Sequence, residues 1–362
     1  MITTRIHNFN SGPAVLPLPV LEEVQRDLMA LPGVGMSVLE ISHRSKAFED
    51  ILQRAEADVR RLAGVPDTYA VLFLQGGASL QFSMLPMNLL SPGTTADYIL
   101  TGSWTEKAAV EARRVGKVNI AATTEADGFR RIPRQDELSL TPDAAYVHIT
   151  SNNTIEGTQW RTLPDVGDVP LVSDASSDIF SRPIDIARHG LIYAGAQKNL
   201  GPAGATVVIV RKDLFTRSSA DLHTMLSYKV HADNGSLYNT PAVFAIYMIG
   251  LVVKWIIAQG GLEALARANE RKARKLYAEI DRSGYYRGTA EPDSRSLMNV
   301  TFRLNSEELE KRFVKNATTD GLDGLKGHRS VGGIRASIYN AFPEEGVDAL
   351  IQFMREFERR NG

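Results

Sequence analysis

The sequence predicts an α/β protein: a mostly parallel sheet with helices on both faces, followed by a smaller α+β domain. Three observations carry this reading. Short apolar runs alternate with helical stretches from Ala47 to Val210. Several of those runs end in glycine-containing turns, as at Gly76-Gly77 and Gly195. Beyond Gln259-Gly260-Gly261 the pattern changes to a long charged helix and alternating strands. Strands of a covered parallel sheet are buried on both faces, so they read as continuous apolar runs.

Taken in order, Ser11-Gly12-Pro13 is a turn, and Pro19 opens a helix through Glu22, Glu23 and Arg26 that Pro32-Gly33 breaks. Leu52, Ala55, Val59 and Leu62 recur at helical spacing within 47–63. Ala70–Leu74 is a buried strand, followed by Gln75-Gly76-Gly77-Ala78-Ser79 and an apolar-rich stretch from Leu80 to Leu90. Asp97–Leu100 is the next strand, with a helix through Ala108 and Arg113 behind it. Tyr146–Ile149, Pro170–Ser173, Gly190–Tyr193 and Ala205–Val210 are further strands. Asp233 to Pro241 is a long polar turn before an apolar helix at 243. Helices are expected over 262–280, 307–313 and 346–358, and strands over 298–303 and 333–339. The domain change is placed near 258, giving a first segment 1–15 that packs with the small domain, a large domain 16–258 and a small domain 259–362.

Composition narrows the function. The chain has 362 residues, 43% hydrophobic and 23% charged, as an ordinary globular protein has. A net charge of −1 argues against a nucleic-acid binder. With no cysteine, disulfides, thiolate metal sites and cysteine nucleophiles are excluded. Met1–Asn8 has neither an apolar core nor a cleavage pattern, so a cytoplasmic protein is expected. The longest apolar run, Val243–Val253, is too short to span a bilayer and reads as a buried helix.

The chemistry centres on Lys198, alone on a tight loop between two apolar strands, with small residues before it and Leu200-Gly201-Pro202-Ala203-Gly204 after it. By itself it reads as a solvated lysine at a strand end. A pocket of low polarity would instead lower its pKa and leave an amine able to condense with a carbonyl. Asp174 ends the preceding strand, where open α/β sheets bind ligands. By itself it is equally a cap for the next helix. Together, an amine and a carboxylate on one crevice are the two protein groups that pyridoxal phosphate needs: one for the Schiff base, one to keep the ring nitrogen protonated. The Gly76-Gly77 turn, between a strand and a helix start, could present free N–H groups to a phosphate. It is neither a P-loop nor a dinucleotide fingerprint. Trp104, after a strand tip, is either a core residue or a face that stacks on a flat ring. Thr154 can donate to a ring oxygen. His43-Arg44, on a loop, is either a surface pair or an anion holder.

Several blocks together resemble the phosphoserine aminotransferases. They are Gly195-Ala196-Gln197-Lys198-Asn199 with Gly201-Pro202-Ala203-Gly204, Ile41-Ser42-His43-Arg44, Asn8-Phe9-Asn10-Ser11-Gly12-Pro13, Asp233-Asn234-Gly235-Ser236 with Asn239-Thr240-Pro241, and Lys326-Gly327-His328-Arg329 with Gly332-Gly333-Ile334-Arg335-Ala336-Ser337. They run over essentially the whole chain. The resemblance implies a fold-type I pyridoxal-phosphate transferase that uses L-glutamate as donor and 3-phosphohydroxypyruvate as acceptor in serine biosynthesis. A second acceptor, leading to 4-phosphohydroxythreonine in vitamin B6 synthesis, is also implied.

Residue by residue, the resemblance makes Lys198 the Schiff-base lysine and proton shuttle. Asp174 becomes the partner of the ring nitrogen, Trp104 the stacking face and Thr154 the contact on the ring hydroxyl side. Ala78, Ser79 and Gln197 take the cofactor phosphate, with Asn239 and Thr240 supplied by a partner subunit across a homodimer interface. Arg335 takes the substrate α-carboxylate. His43, Arg44, His328 and Arg329 surround the substrate phosphate, the last two reaching the neighbour's site. No metal is expected. Where some members carry Gly-Gly-Gly-Arg-Gly, this chain has Gly76-Gly77-Ala78-Ser79-Leu80, so a positive charge is replaced by a hydroxyl. Transaminases of non-phosphorylated acids are the nearest competitors. Two His-Arg pairs are more cation than a simple carboxylate needs, which favours a phosphorylated substrate. A non-catalytic protein on the same scaffold would have no need of Lys198, Asp174 and Arg335 together.

Overall fold

A computed structural model describes residues 5–362. Seven strands form the central sheet: β2 (Tyr69–Leu74), β3 (Thr95–Leu100), β4 (Lys117–Thr123), β5 (Val147–Thr150), β8 (Leu171–Asp174), β9 (His189–Gly195) and β10 (Thr206–Arg211). Their order is β2-β10-β9-β8-β5-β3-β4. The run from β9 to β4 is parallel, whereas β10 is antiparallel to both neighbours. The chain therefore returns directly from β9 into β10, without the crossover helix that a parallel pair requires. Between β5 and β8 lies a two-stranded hairpin, β6 (Asn152–Asn153) with β7 (Thr158–Gln159).

The apolar runs divide between the two faces with period two. Val71, Phe73, Ile192, Val207 and Ile209 join one core with helices α1 (Leu18–Asp27), α2 (Lys46–Ala63) and α6 (Val243–Ala258). Leu72, Leu74, Tyr98, Leu191, Tyr193 and Val208 join another with α3 (Gly77–Leu89) and α4 (Ser103–Arg113). Strand β4, with its mixed Lys-Val-Asn-Ile pattern, was not anticipated; it is an edge strand and mostly half-buried. The apolar helix at 243 is buried as expected, with Ile246, Ile249, Val253 and Ile256 inaccessible or nearly so. The polar turn before it begins with a short helix, α5 (Tyr228–Asp233). Among the described residues no single helix is long and apolar enough to cross a membrane.

The chain changes core within one helix. α7 (Gly261–Ser283) leaves α6 at a bend of 82°. Its Leu262 and Leu265 pack into the first core, and its Ala273, Leu276 and Ile280 into a third. That third core also holds β12 (Asn299–Arg303), β14 (Ile334–Ser337), α8 (Glu307–Thr319) and α9 (Glu344–Asn361). β12 lies between β14 and the short β11 (Arg287–Gly288), all antiparallel. Phe9, from the start of the chain, is fully buried there, and β1 (His7–Asn8) pairs in parallel with β13 (Leu322–Asp323).

The β6–β7 hairpin joins the two parts. Asn152 donates to Asn299 Oδ1 at 2.8 Å and accepts from Ser296 Oγ at 2.5 Å, and Ser296 N donates to Gly157 O at 2.8 Å. Gly157 has φ +77°, and a Cβ there would lie 2.1 Å from Thr301 Oγ1. Gly157→Ala should therefore lower stability by about 2–4 kcal/mol, since both the backbone and the seam must shift. An unchanged denaturation midpoint would show that the seam yields freely.

Candidate active site

Lys198 lies on the β9–β10 connection, and neighbouring backbone fixes its loop. Ala196 N donates to Ala205 O, Leu200 N to Ala196 O and Ala14 N to Gln197 O, at 2.8–3.0 Å. Gly12 lies against the lysine stem, so that a Cβ there would sit 3.3 Å from Lys198 Cγ. Asn199 Nδ2 donates to Ser177 O at 3.0 Å. Asp174 is the last residue of β8, paired in register with Tyr193. Ser176 N donates to its Oδ1 at 3.0 Å, and Gly195 N donates to Ser176 Oγ at 3.1 Å. Ser176 thus ties the aspartate's turn to the lysine's strand. Asp174 is not capping a helix, because irregular turns follow it.

Lys198 Nζ donates to Thr154 Oγ1 at 2.7 Å. Thr154 O accepts from Arg335 Nη1 at 3.3 Å, and Arg335 Nη2 donates to Ser11 Oγ at 2.8 Å. Three elements distant in sequence are therefore linked at one point. The Trp104 ring lies 5.8 Å from Lys198 Nζ and packs tilted against Phe82. Arg335 Nε and Trp104 Nε1 are buried with no hydrogen-bond partner among the described residues. An arginine with a buried, unpartnered donor suits a carboxylate.

Burial pulls the Lys198 pKa down to about 8. Asp174 opposes that fall and Arg335 adds to it. Asp174 is raised by burial, while its bond from Ser176 and the charge of Lys198 hold it down. A buried carboxylate with a nearby cation fits the ring nitrogen of a protonated pyridine.

Ala78 and Ser79 lie in the first turn of α3. Gly76 and Gly77 carry φ of +86° and +64°, and a Cβ on Gly76 would meet Leu80 at 2.6 Å. Glycine is required there to swing the chain into the helix with its first N–H groups pointing outward. Gln197 is half-buried and folds back over Gly195. Thr240 O accepts from Gln75 Nε2 at 3.1 Å, so the Asn239-Thr240 turn leans on the same chain's β2–α3 turn. His328 is half-buried in a cleft of about 710 Å³ that Arg335 and Glu156 also line. Burial lowers its pKa, and Arg335, Lys107 and Arg329 lower it further. His43 and Arg44 precede α2 on an exposed loop, and Arg44 Nε donates to His43 Nε2 at 3.4 Å. No hydrogen bond among the described residues links that loop to Lys198 or Arg335.

Three residues escaped the sequence reading. Lys107 Nζ lies 4.3 Å from the Trp104 ring centroid and acts on His328. Its place three residues after Trp104 on a helix was the available signal. Ser11 was visible only as part of a turn. Glu156 accepts from Ser103 N at 2.9 Å, burial raises its pKa, and it had no signal as a lone acid on a loop.

Comparison with known proteins agrees with this geometry. Residues 6–350 match the model of the aminotransferase class-V family. The phosphoserine aminotransferase of Desulfosudis oleivorans is 59% identical over the full length of both chains. The chain belongs to the phosphoserine aminotransferase family of class-V aminotransferases. The solved phosphoserine aminotransferase from Bacillus circulans subsp. alkalophilus superposes with a TM-score of 0.98 at 54% identity, over 99% of this chain and 100% of that one. A pyridoxal-phosphate-bound phosphoserine aminotransferase from Trichomonas vaginalis gives 0.93 at 40% identity, over 97% and 100%. The fold-type I architecture expected from the sequence is thus established.

The lowered lysine pKa has a direct check. Below it the amine is protonated and has no lone pair; above it the amine is free. In protein freed of bound small molecules, trapping of a small aldehyde on Lys198 by borohydride should rise through about pH 8. A midpoint near 10.5, the ordinary lysine value, would show that desolvation does not act there.

Proposed function

We propose that the protein is a pyridoxal 5'-phosphate-dependent transaminase that passes the amino group of L-glutamate to 3-phosphohydroxypyruvate, giving O-phospho-L-serine and 2-oxoglutarate. The carrying observation is the chain Lys198–Thr154–Arg335: an amine of lowered pKa beside an arginine with an unpartnered buried edge. The donor set fits the cofactor, which when bound supplies a carbonyl for amine exchange and an electron-accepting ring. Lys198 would hold it covalently and, once displaced by the substrate's amino group, would be the free amine placed to move the proton at the substrate Cα as base and then acid. Asp174 pairs with the ring nitrogen, Trp104 covers one face and Thr154 donates toward the ring oxygen. Ala78, Ser79 and Gln197, with Asn239 and Thr240 of a partner subunit, hold the phosphate.

Arg335 binds the α-carboxylate common to both substrates. His328, Arg329, His43 and Arg44 surround the phosphate of the acceptor, with Lys107 adding positive charge. The oxo-acid leading to 4-phosphohydroxythreonine carries the same two anionic groups and would use the same residues. The domain limits 16–258 and 259–362, with residues 1–15 joining the small domain, belong to this reading; residues 1–4 lie outside the described part. So do a cytoplasmic setting and a symmetric homodimer with shared sites. Met29, Met36 and Leu39 are exposed on one short segment, which supports an apolar contact between copies.

The decisive experiment is the visible spectrum of the cofactor-loaded protein. Its absorption should change on adding glutamate and return on adding 3-phosphohydroxypyruvate; no response to either removes the proposal. Asp174→Asn should keep the covalently bound cofactor and lose most turnover; near-parent turnover would make Asp174 purely structural. Arg335→Ala should weaken both acids, while Arg44→Ala or Arg329→Ala should penalise the phosphorylated one, by about one to two decades. Mixed Lys198→Ala and Arg329→Ala subunits should recover up to about half the parent activity per heterodimer if sites are shared. Heterodimers that form yet stay inactive would place Arg329 within its own subunit's site.

A further inference from the structure

Lys272 is a buried lysine that the reaction above does not use. It sits on α7, is 3% exposed, and forms no ion pair among the described residues. Its three N–H donors are matched by three carbonyls of one turn: Ile338 O at 3.1 Å, Tyr339 O at 2.7 Å and Phe342 O at 3.1 Å. Burial lowers its pKa to about 7, with the charge of Glu344 opposing the fall and that of Arg271 adding to it; three carbonyls at bonding distance match the three donors of the ammonium. A charged group this deep is costly to keep unless what it holds matters.

The turn it holds leads to the active site by two routes. Tyr339 OH donates to Ser11 O at 2.7 Å, and Ser11 Oγ accepts from Arg335 Nη2. The backbone N–H of Asn340 donates to Asn199 Oδ1 at 3.0 Å, next to Lys198. Asn340 is itself held, its Nδ2 on Phe180 O at 3.0 Å and its Oδ1 receiving Asn269 Nδ2 at 2.9 Å. Asn269 and Lys272 lie one turn apart on α7, so one face of that helix grips the turn.

We propose that Lys272 is a positioning residue for transamination: its ammonium clamps the 338–342 turn, and the turn sets Arg335 through Tyr339 and Ser11 and the lysine loop through Asn340 and Asn199. This rests on the reading of Arg335 as the α-carboxylate ligand. A loosened clamp leaves the reacting groups present but lets the arginine drift. The cost then falls on binding of every substrate that carries the carboxylate, whether or not it bears a phosphate.

The test uses Lys272→Met and Tyr339→Phe in the cofactor-loaded protein, alone and together. Each should raise KM for glutamate and for 3-phosphohydroxypyruvate by about five- to tenfold, the size of one lost hydrogen bond, with a smaller change in kcat. The double variant should be no worse than Lys272→Met alone, because both act along one route. Hydrogen exchange at the Asn340 amide should rise in Lys272→Met and not in Tyr339→Phe. Parent KM values in folded Lys272→Met, or effects that multiply in the double variant, would overturn the proposal. If Lys272→Met does not fold, Tyr339→Phe decides: parent KM values there remove the route through Ser11. Arg335→Ala is the control, since parent KM in that variant would instead discard the reading of Arg335.

Discussion

The hydrogen bond from Lys198 Nζ to Thr154 Oγ1 joins a loop at the end of two inner strands of the sheet to the turn of a hairpin held by Ser296 and Asn299. Much of the site is organised by that contact. It holds the amine in a place poor in water, which is why burial outweighs Asp174 in setting its proton affinity. Thr154 also passes the constraint on, because its carbonyl receives Arg335 from β14. A site made this way needs the two sheets in register, and buried amide and hydroxyl pairs across the seam help to set that register. Such pairs are directional, so they fix a relative placement that packing alone would leave loose.

The charge distribution follows from the same placement. Burial lowers the proton affinity of His328, and the charges of Arg335, Lys107 and Arg329 lower it further. An arriving dianion would reverse that balance, raising the affinity of His328 for a proton while it binds. Lys107, stacked over Trp104, is the cation nearest the ring. Ser79 sits at a helix start whose N–H groups remain as donors.

Much of this was legible in the chain. The strands that lead to Asp174 and to the Lys198 loop are largely apolar runs, and such runs have little choice but a covered sheet. The turn at Gly76-Gly77 and the burial of α6 were equally plain. The antiparallel β10 was not, because periodicity does not encode direction. Strand β4 was missed because an edge strand need not be apolar, and α8 runs to Thr319, six residues beyond the expected Phe313, because its last turns are polar. In the site, Lys198, Thr154 and Arg335, singled out in the sequence, lie together; Lys107, like the residues that work by contact, was not singled out. Ser11, Ser176 and Glu156 gain meaning only from what folds against them. The glycines near 258 mark the bend before α7, while its contribution to two cores is a matter of packing that glycines do not encode.

Phe9 gives this arrangement a temporal side. Its neighbours in the core, Phe302, Leu325, Ile338 and Phe342, follow it by roughly three hundred residues. The strand beside it waits for Leu322 and Asp323. Until those residues are made the segment around Phe9 has no partner, while the large sheet can assemble between them. Contacts so far apart in sequence close late and slowly. The hold of Ser11 on Arg335 thus closes only across a long stretch of chain, and a shortened stretch cannot carry a finished site.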